Sequence, residues 1–138
     1  MSDDLISILF LLKPKASVSY LEEDNTLRQA LEKMRFYGYT ALPVINQQGQ
    51  YVGTISEGDF LWNMLENSEY DIYSQEKHRI REIIRKDFNP AATVSTTVDQ
   101  LIPQIMSQNF IPVIDDLGVF MGIITRQDVI RYLNSRQK

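Results

Sequence analysis

LPVINQQGQYVGTISEGDFL, residues 42–61, returns without a gap as IPVIDDLGVFMGIITRQDVI, residues 111–130. Seven of the twenty aligned positions are identical: Pro43/Pro112, Val44/Val113, Ile45/Ile114, Gly49/Gly118, Gly53/Gly122, Ile55/Ile124 and Asp59/Asp128. Average residue usage gives about one by chance. Most other pairs keep their chemistry, among them Asn46/Asp115, Tyr51/Phe120, Ser56/Thr125 and Phe60/Val129. The chain therefore holds one structural unit twice, at an offset of 69 residues (112 − 43), and both copies must share one element order.

Working outward, each stretch predicts two strands joined by a glycine turn: 41–46 and 51–56 around Gly49, then 111–115 and 119–125 around Gly118. A helix closes each unit, over 57–66 and 126–135. Upstream, Leu27, Ala30, Leu31 and Met34 fall at the spacing of an amphipathic helix, as do Val98, Leu101, Ile102 and Ile105. Both helices open on a capping box, Thr26 with Gln29 and Thr97 with Gln100, which satisfies two orphan backbone donors. A β-rich run at 17–21 precedes the first helix. The order is strand, helix, strand, strand, helix, twice.

The polar stretch 67–78 reads as a connector between a first repeat over 5–66 and a second over 79–135. In segment 79–86, Ile80, Ile83 and Ile84 make a short helical stripe, while Lys77, Arg79, Arg81, Arg85 and Lys86 concentrate positive charge. Such a run forms either a solvated helix face or a phosphate-facing surface.

Composition narrows the function classes. At 138 residues and 43% apolar the chain suffices for one compact domain, whereas a half of about 60 residues is marginal alone, so the repeats are expected to share a core. A net charge of −4 argues against nucleic acid or an anionic membrane as partner. The chain has no cysteine, hence no disulfide framework or thiolate chemistry. The apolar run 5–12 follows acidic residues, unlike a signal peptide, and is too short to span a bilayer. It is expected to pack on the core as a helix or strand, and the expected compartment is the cytosol.

Chemistry concentrates at Ser56-Glu57-Gly58-Asp59 and Thr125-Arg126-Gln127-Asp128. A strand-end hydroxyl followed three residues later by a carboxylate is first a helix start, the hydroxyl capping and the Asp facing the positive helix end. The same geometry offers N–H groups to an anion and a carboxylate to the cis-diol of a ribose.

The paired hydrophobic-Pro-Val-hydrophobic strand, glycine turn, Gly-hydrophobic-hydrophobic-Ser/Thr strand end and following Asp resemble a tandem CBS domain pair, or Bateman module, of the stand-alone bacterial type. The resemblance implies an α/β fold in which two β-α-β-β-α CBS repeats pack about a pseudo-twofold axis, and a helix-mediated homodimer with its contact surface on the helices near 28–37 and 100–108. It also implies a non-catalytic regulatory role: sensing an adenosine-type ligand, AMP, ADP, ATP or a relative such as cyclic di-AMP or S-adenosylmethionine, in clefts between repeats. The family motif maps onto Asp59 and Asp128 as ribose acceptors and onto Ser56 and Thr125 as ribose or phosphate contacts. The base is expected at Thr40, Ala41 and Leu42 and at Asn109, Phe110 and Ile111, with 15–18 (including Val18) and 90–93 (including Thr93) near the first strands. Arg126 is positioned by sequence to pair with a phosphate where the first copy has Glu57, so the Asp128 cleft is expected to prefer phosphorylated adenosine and the Asp59 cleft to be empty or to take a less charged adenosine derivative.

Other features keep ordinary readings. His78, the sole histidine, has no neighbouring nucleophile, and there is no Walker loop, paired-glycine fingerprint or His/Cys cluster. Asp115 and Asp116 flank a turn, and Phe36, Tyr37, Tyr39 and Trp62 are expected in the core or at a subunit contact. No active site assembles, no metal or catalytic cofactor is implied, and the regulated partner is not named by the chain. The rival class is a dimerising scaffold without a physiological nucleotide.

Overall fold

The computed structural model describes residues 7–67, 72–85 and 87–136. In chain order the elements are β1 (Lys13–Pro14), β2 (Leu21–Glu22), α1 (Leu27–Tyr37), β3 (Ala41–Ile45), β4 (Tyr51–Ser56), α2 (Glu57–Asn67), α3 (Ile72–Lys77), β5 (Ala92–Thr93), α4 (Val98–Ile105), β6 (Phe110–Ile114), β7 (Phe120–Thr125) and α5 (Arg126–Arg136). Both capping boxes form: Thr26 and Thr97 each accept from the N3 backbone while Gln29 and Gln100 reach back to the cap N–H. Gly38 ends α1 in the left-handed conformation at φ +73°, which a residue without a β-carbon adopts at little cost.

The two copies fold alike. Strand β3 pairs antiparallel with β4 and parallel with β2, and β6 pairs antiparallel with β7 and parallel with β5. Each hairpin carries a bulge at the equivalent place, between Val44 and Ile45 and between Val113 and Ile114.

The chain divides into two compact units that do not follow the repeat boundaries: one runs from Ser19 to Phe88, the other combines residues up to Val18 with those from Asn89 onward. The segment that opens each repeat in sequence thus packs with the rest of the other repeat. Among the described residues the buried apolar side chains form two clusters, one in each unit, where the sequence suggested one. Leu21, Leu27, Ala30, Met34, Val44, Ile55 and Phe60 pack around Ile80 in one unit, and Val98, Leu101, Ile111, Val113, Ile124 and Val129 pack with Ile8 in the other. Ile8 and Ile80, 72 residues apart (80 − 8), are both fully buried. Their backbones are tied equivalently, Ile8 N–H to the Thr96 carbonyl and Ile80 N–H to the Asn25 carbonyl. Each half of the chain is too small to close its own core, and the borrowed isoleucine completes it.

The same segments then cross a glycine. Lys13 and Pro14 of β1 pair with Ile123 and Gly122 of β7, and Arg85 bridges Thr54, next to Gly53 in β4. A β-carbon at Gly122 would lie 2.0 Å from the Lys13 carbonyl oxygen, and one at Gly53 2.9 Å from Ile84 Cδ1 and 3.1 Å from the Arg85 carbonyl oxygen. The identity Gly53/Gly122 is therefore a requirement of close backbone approach.

Several sequence expectations change. The β-rich run 17–21 yields only the short β2, because Lys15–Ser17 forms a 3₁₀ turn. The stripe in 79–86 forms one 3₁₀ turn, Ile80–Glu82, after which the chain extends to pair with β4. The connector contains α3, tied to α1 by an ion pair between Arg28 and Glu76. The N-terminal apolar run forms a 3₁₀ turn, Ile8–Leu11. Residues 5 and 6 of that run, 68–71 of the connector and Lys86 lie outside the described residues. Phe36, Tyr37, Tyr39 and Trp62 are exposed and so do not belong to the core. Among the described residues no helix is long and apolar enough to cross a membrane, and no group of three or more metal-type ligands is assembled.

Candidate functional site

The β-strand ends deliver the two candidate carboxylates into different surroundings. In the first copy Asp59, in the first turn of α2, bends back on its own strand: Oδ2 accepts from the Ser56 backbone N–H at 2.8 Å and from Ser56 Oγ at 3.1 Å. Its Oδ1 meets Arg85 Nε at 2.7 Å, and only 7% of the Asp59 side chain is exposed. In the second copy the cap runs the other way, with the Asp128 backbone N–H donating to Thr125 Oγ1 at 3.2 Å. The Asp128 carboxylate is left to looser pairing, Oδ2 with Lys13 Nζ at 3.4 Å and Oδ1 with Arg131 Nη1 at 3.8 Å, and 21% of its side chain is exposed.

The partner cations share one origin. Lys13 and Arg85, 72 residues apart (85 − 13), sit at the same place on the two crossing segments. Sequence reasoning missed Lys13 altogether and saw Arg85 only as part of a charge run. The identity of Gly53 and Gly122 was the sole trace of the crossing. Two other members of that run reach the loop before α1: Arg79 donates to the Asp24 carbonyl and Arg81 pairs with the Asp24 carboxylate.

The Arg126 guanidinium is engaged by backbone carbonyls at the end of α4. Its Nε donates to the Ile105 carbonyl at 3.0 Å and one Nη to the Met106 carbonyl at 3.4 Å. It thereby satisfies orphan carbonyls at the negative end of α4. The cations beside Asp128 are Lys13 and Arg131 instead.

The expected base-contact segments divide between the two units. Thr40, Ala41 and Leu42 lie with Asp59, while Asn109, Phe110, Ile111 and Thr93 lie with Asp128. Val18 also belongs to the Asp128 unit rather than to the first repeat, because the preceding 3₁₀ turn packs against β7. Leu42 and Ile111 have their side chains in the cores, which leaves a ligand only their backbones. The carbonyls of Thr40 and Asn109 accept the first N–H of α2 and α5. Gln108, also missed from sequence, is buried and donates to Asn89 Oδ1 and to the carbonyls of Pro90 and Phe110. It sets the 90–93 segment beside the start of β6.

Beside Asp59 opens a hollow of about 460 Å³ lined by Ser56, Asp59, Trp62, Asn63, Glu82 and Arg85, among others. At the positions equivalent to Asn63 and Glu82 the other unit carries Tyr132 and Phe10, whose rings meet edge to face with centroids 6.0 Å apart. Glu82 is held below the usual carboxylate range by its hydrogen bond with His78 and then by the Arg79 backbone N–H.

The family model for the CBS domain matches residues 1–66 and 80–135; the chain belongs to the CBS domain family and carries a tandem pair. It is similar to the cyclic di-AMP receptor B of Bacillus subtilis (strain 168), 27% identical over 122 residues that cover 85% of this chain and 79% of that one. Among solved structures it resembles CbpB in complex with c-di-AMP, with a TM-score of 0.88 at 25% identity, covering 96% of this chain and 87% of that one. The fold is also that of CBSX2 in complex with AMP, with a TM-score of 0.76 at 21% identity over 96% and 99% of the two chains.

Proposed function

We propose that the chain is a non-catalytic regulatory module that senses an adenine nucleotide, with Asp128 and Asp59 as ribose acceptors. One observation carries this reading: in each unit a helix-start carboxylate faces a cation brought in by the crossing segment, Asp128 with Lys13 and Asp59 with Arg85. A carboxylate accepts sugar hydroxyls and an adjacent cation pairs with phosphate, so the two together match a nucleotide and not a base or a phosphate alone. The Asp128 site is the readier of the two, since its carboxylate is more exposed and its ion pairs are longer. Ligand binding that favours one arrangement of the module shifts its population, and a partner protein reads the shift.

Cyclic di-AMP is the first ligand to test, because the Bacillus subtilis relative is named as its receptor and the CbpB structure contains it. AMP, ADP, ATP and S-adenosylmethionine follow. A cis-diol is present in these but not in cyclic di-AMP, whose 3′ oxygens are esterified, so two hydrogen bonds to one carboxylate favour the former and a single 2′-hydroxyl contact serves the latter. Calorimetry with each compound, repeated on Asp128→Ala, decides. Binding of at least one adenine nucleotide, weakened by the substitution, supports the reading. No binding by any of them favours a scaffold role for the repeats.

A further inference from the structure

The two carboxylate–cation pairs differ in a way that assigns Arg85 a task of its own. Asp59 is 7% exposed and both its oxygens are engaged, so a sugar hydroxyl reaches it only by displacing the Arg85 guanidinium. The Arg85 side chain is 53% exposed and its guanidinium carbon lies 4.1 Å from the Phe88 ring centroid, so it has room to move without unpacking the core. Its backbone stays seated on Thr54 beside Gly53. Arg85 is also the one cation lining the hollow among the described residues, against the carboxylates of Asp59, Glu66 and Glu82. An anion entering there meets net repulsion unless Arg85 turns to it.

We propose that the Arg85–Asp59 pair is a latch that makes the hollow of this unit accept only ligands carrying both ribose hydroxyls and a phosphate. Hydroxyls take over Asp59 and release Arg85, and the phosphate then pairs the released guanidinium. A nucleoside breaks the ion pair and brings no anion to replace it. Free phosphate meets a guanidinium still held by Asp59 and is repelled by Glu66 and Glu82, which line the same hollow. Arg85 is thus a specificity-determining residue, and Lys13, longer in its pairing and beside a more exposed carboxylate, imposes no such condition on the other unit.

This inference rests on the reading of Asp59 as a ribose acceptor, and the experiment separates the two. On the full chain carrying Asp128→Ala, titrate AMP and adenosine by calorimetry against Arg85, Arg85→Lys and Arg85→Gln, with Asp59→Asn as a control. The latch predicts that AMP binds at least about tenfold tighter than adenosine with Arg85 in place, the worth of one charge-assisted contact. With Arg85→Gln adenosine tightens while AMP weakens, so the preference disappears or reverses; Arg85→Lys keeps part of it. Binding lost in Asp59→Asn but moved equally for both ligands by Arg85→Gln overturns the latch and leaves the ribose reading standing. Binding of neither ligand to any variant, or binding indifferent to Asp59→Asn, overturns both.

Discussion

The Lys13 carbonyl oxygen lies against the α-carbon of Gly122 so closely that a β-carbon there would fall 2.0 Å from it. No atom pair of that kind survives at such a distance, and the clash is with backbone, which can yield only by moving β1 off β7. Gly122→Ala should therefore cost about 3 kcal/mol or more. At Gly53 the nearest atom is the end of the Ile84 side chain, which can rotate away, so Gly53→Ala should cost less, about 1–3 kcal/mol, part of it from a φ of +155°. Urea unfolding of the two variants measures the difference; equal costs would mean that the crossing at Gly122 is looser than its geometry.

Ile8 and Ile80 are the borrowed members of the two cores, each fully buried. Truncation to alanine should cost about 2–5 kcal/mol at either site. The location of the damage is the sharper test. Hydrogen exchange should quicken around β5–β7 and α4 in Ile8→Ala, and around β2–β4 and α1 in Ile80→Ala, because each side chain serves the core that precedes or follows it across the repeat boundary. Exchange that quickened in the repeat adjoining the mutated residue in sequence would refute the exchange of segments.

What the sequence disclosed follows from what leaves a periodic trace. Thr26, Gln29, Thr97 and Gln100 announce their helices because capping is local chemistry within four residues. The strands around Pro43 and Pro112 announce themselves by apolar runs and by repetition. Lys13 pairing with Ile123 leaves no such trace: two residues of strand carry no alternation, and their partner lies more than a hundred residues away. The orientation of Arg126 was hidden for another reason. Its neighbours in sequence suggest an anion at the start of α5, whereas the carbonyls it meets belong to α4 and become neighbours only on folding. Asp59 and Asp128, identical in sequence, part company because equivalent places on the two crossing segments carry Arg85 in one unit and Lys13 in the other.

The low-lying Glu82 gives a pH dependence of definite sign. Its folded-state pKa is depressed by His78 and by the Arg79 N–H, so its contribution is complete above the unfolded value of about 4.3 and is lost as pH falls through the folded value. The stability gap between parent and Glu82→Gln should be at most about 1 kcal/mol near pH 5.5, since the group is half exposed. It should shrink as the pH is lowered below the unfolded value. Urea midpoints across that range test it, and a gap that widened on acidification would reverse the assignment.

Lys13 offers the cleanest separation of folding from binding. Its side chain is 49% exposed and stands 3.4 Å from Asp128, a pairing that contributes about 0–1 kcal/mol to stability. Lys13→Gln keeps the β1 backbone that pairs with β7, so the melting behaviour should hardly change. The proposed phosphate site at Asp128 loses a cation, however. AMP affinity should fall about tenfold, adenosine affinity should hold, and the weakening of AMP binding by added salt should become shallower. Calorimetry at low and high salt on parent and variant reads all three. An equal loss for adenosine would place the effect of Lys13 in the seating of β1 and take the phosphate away from it.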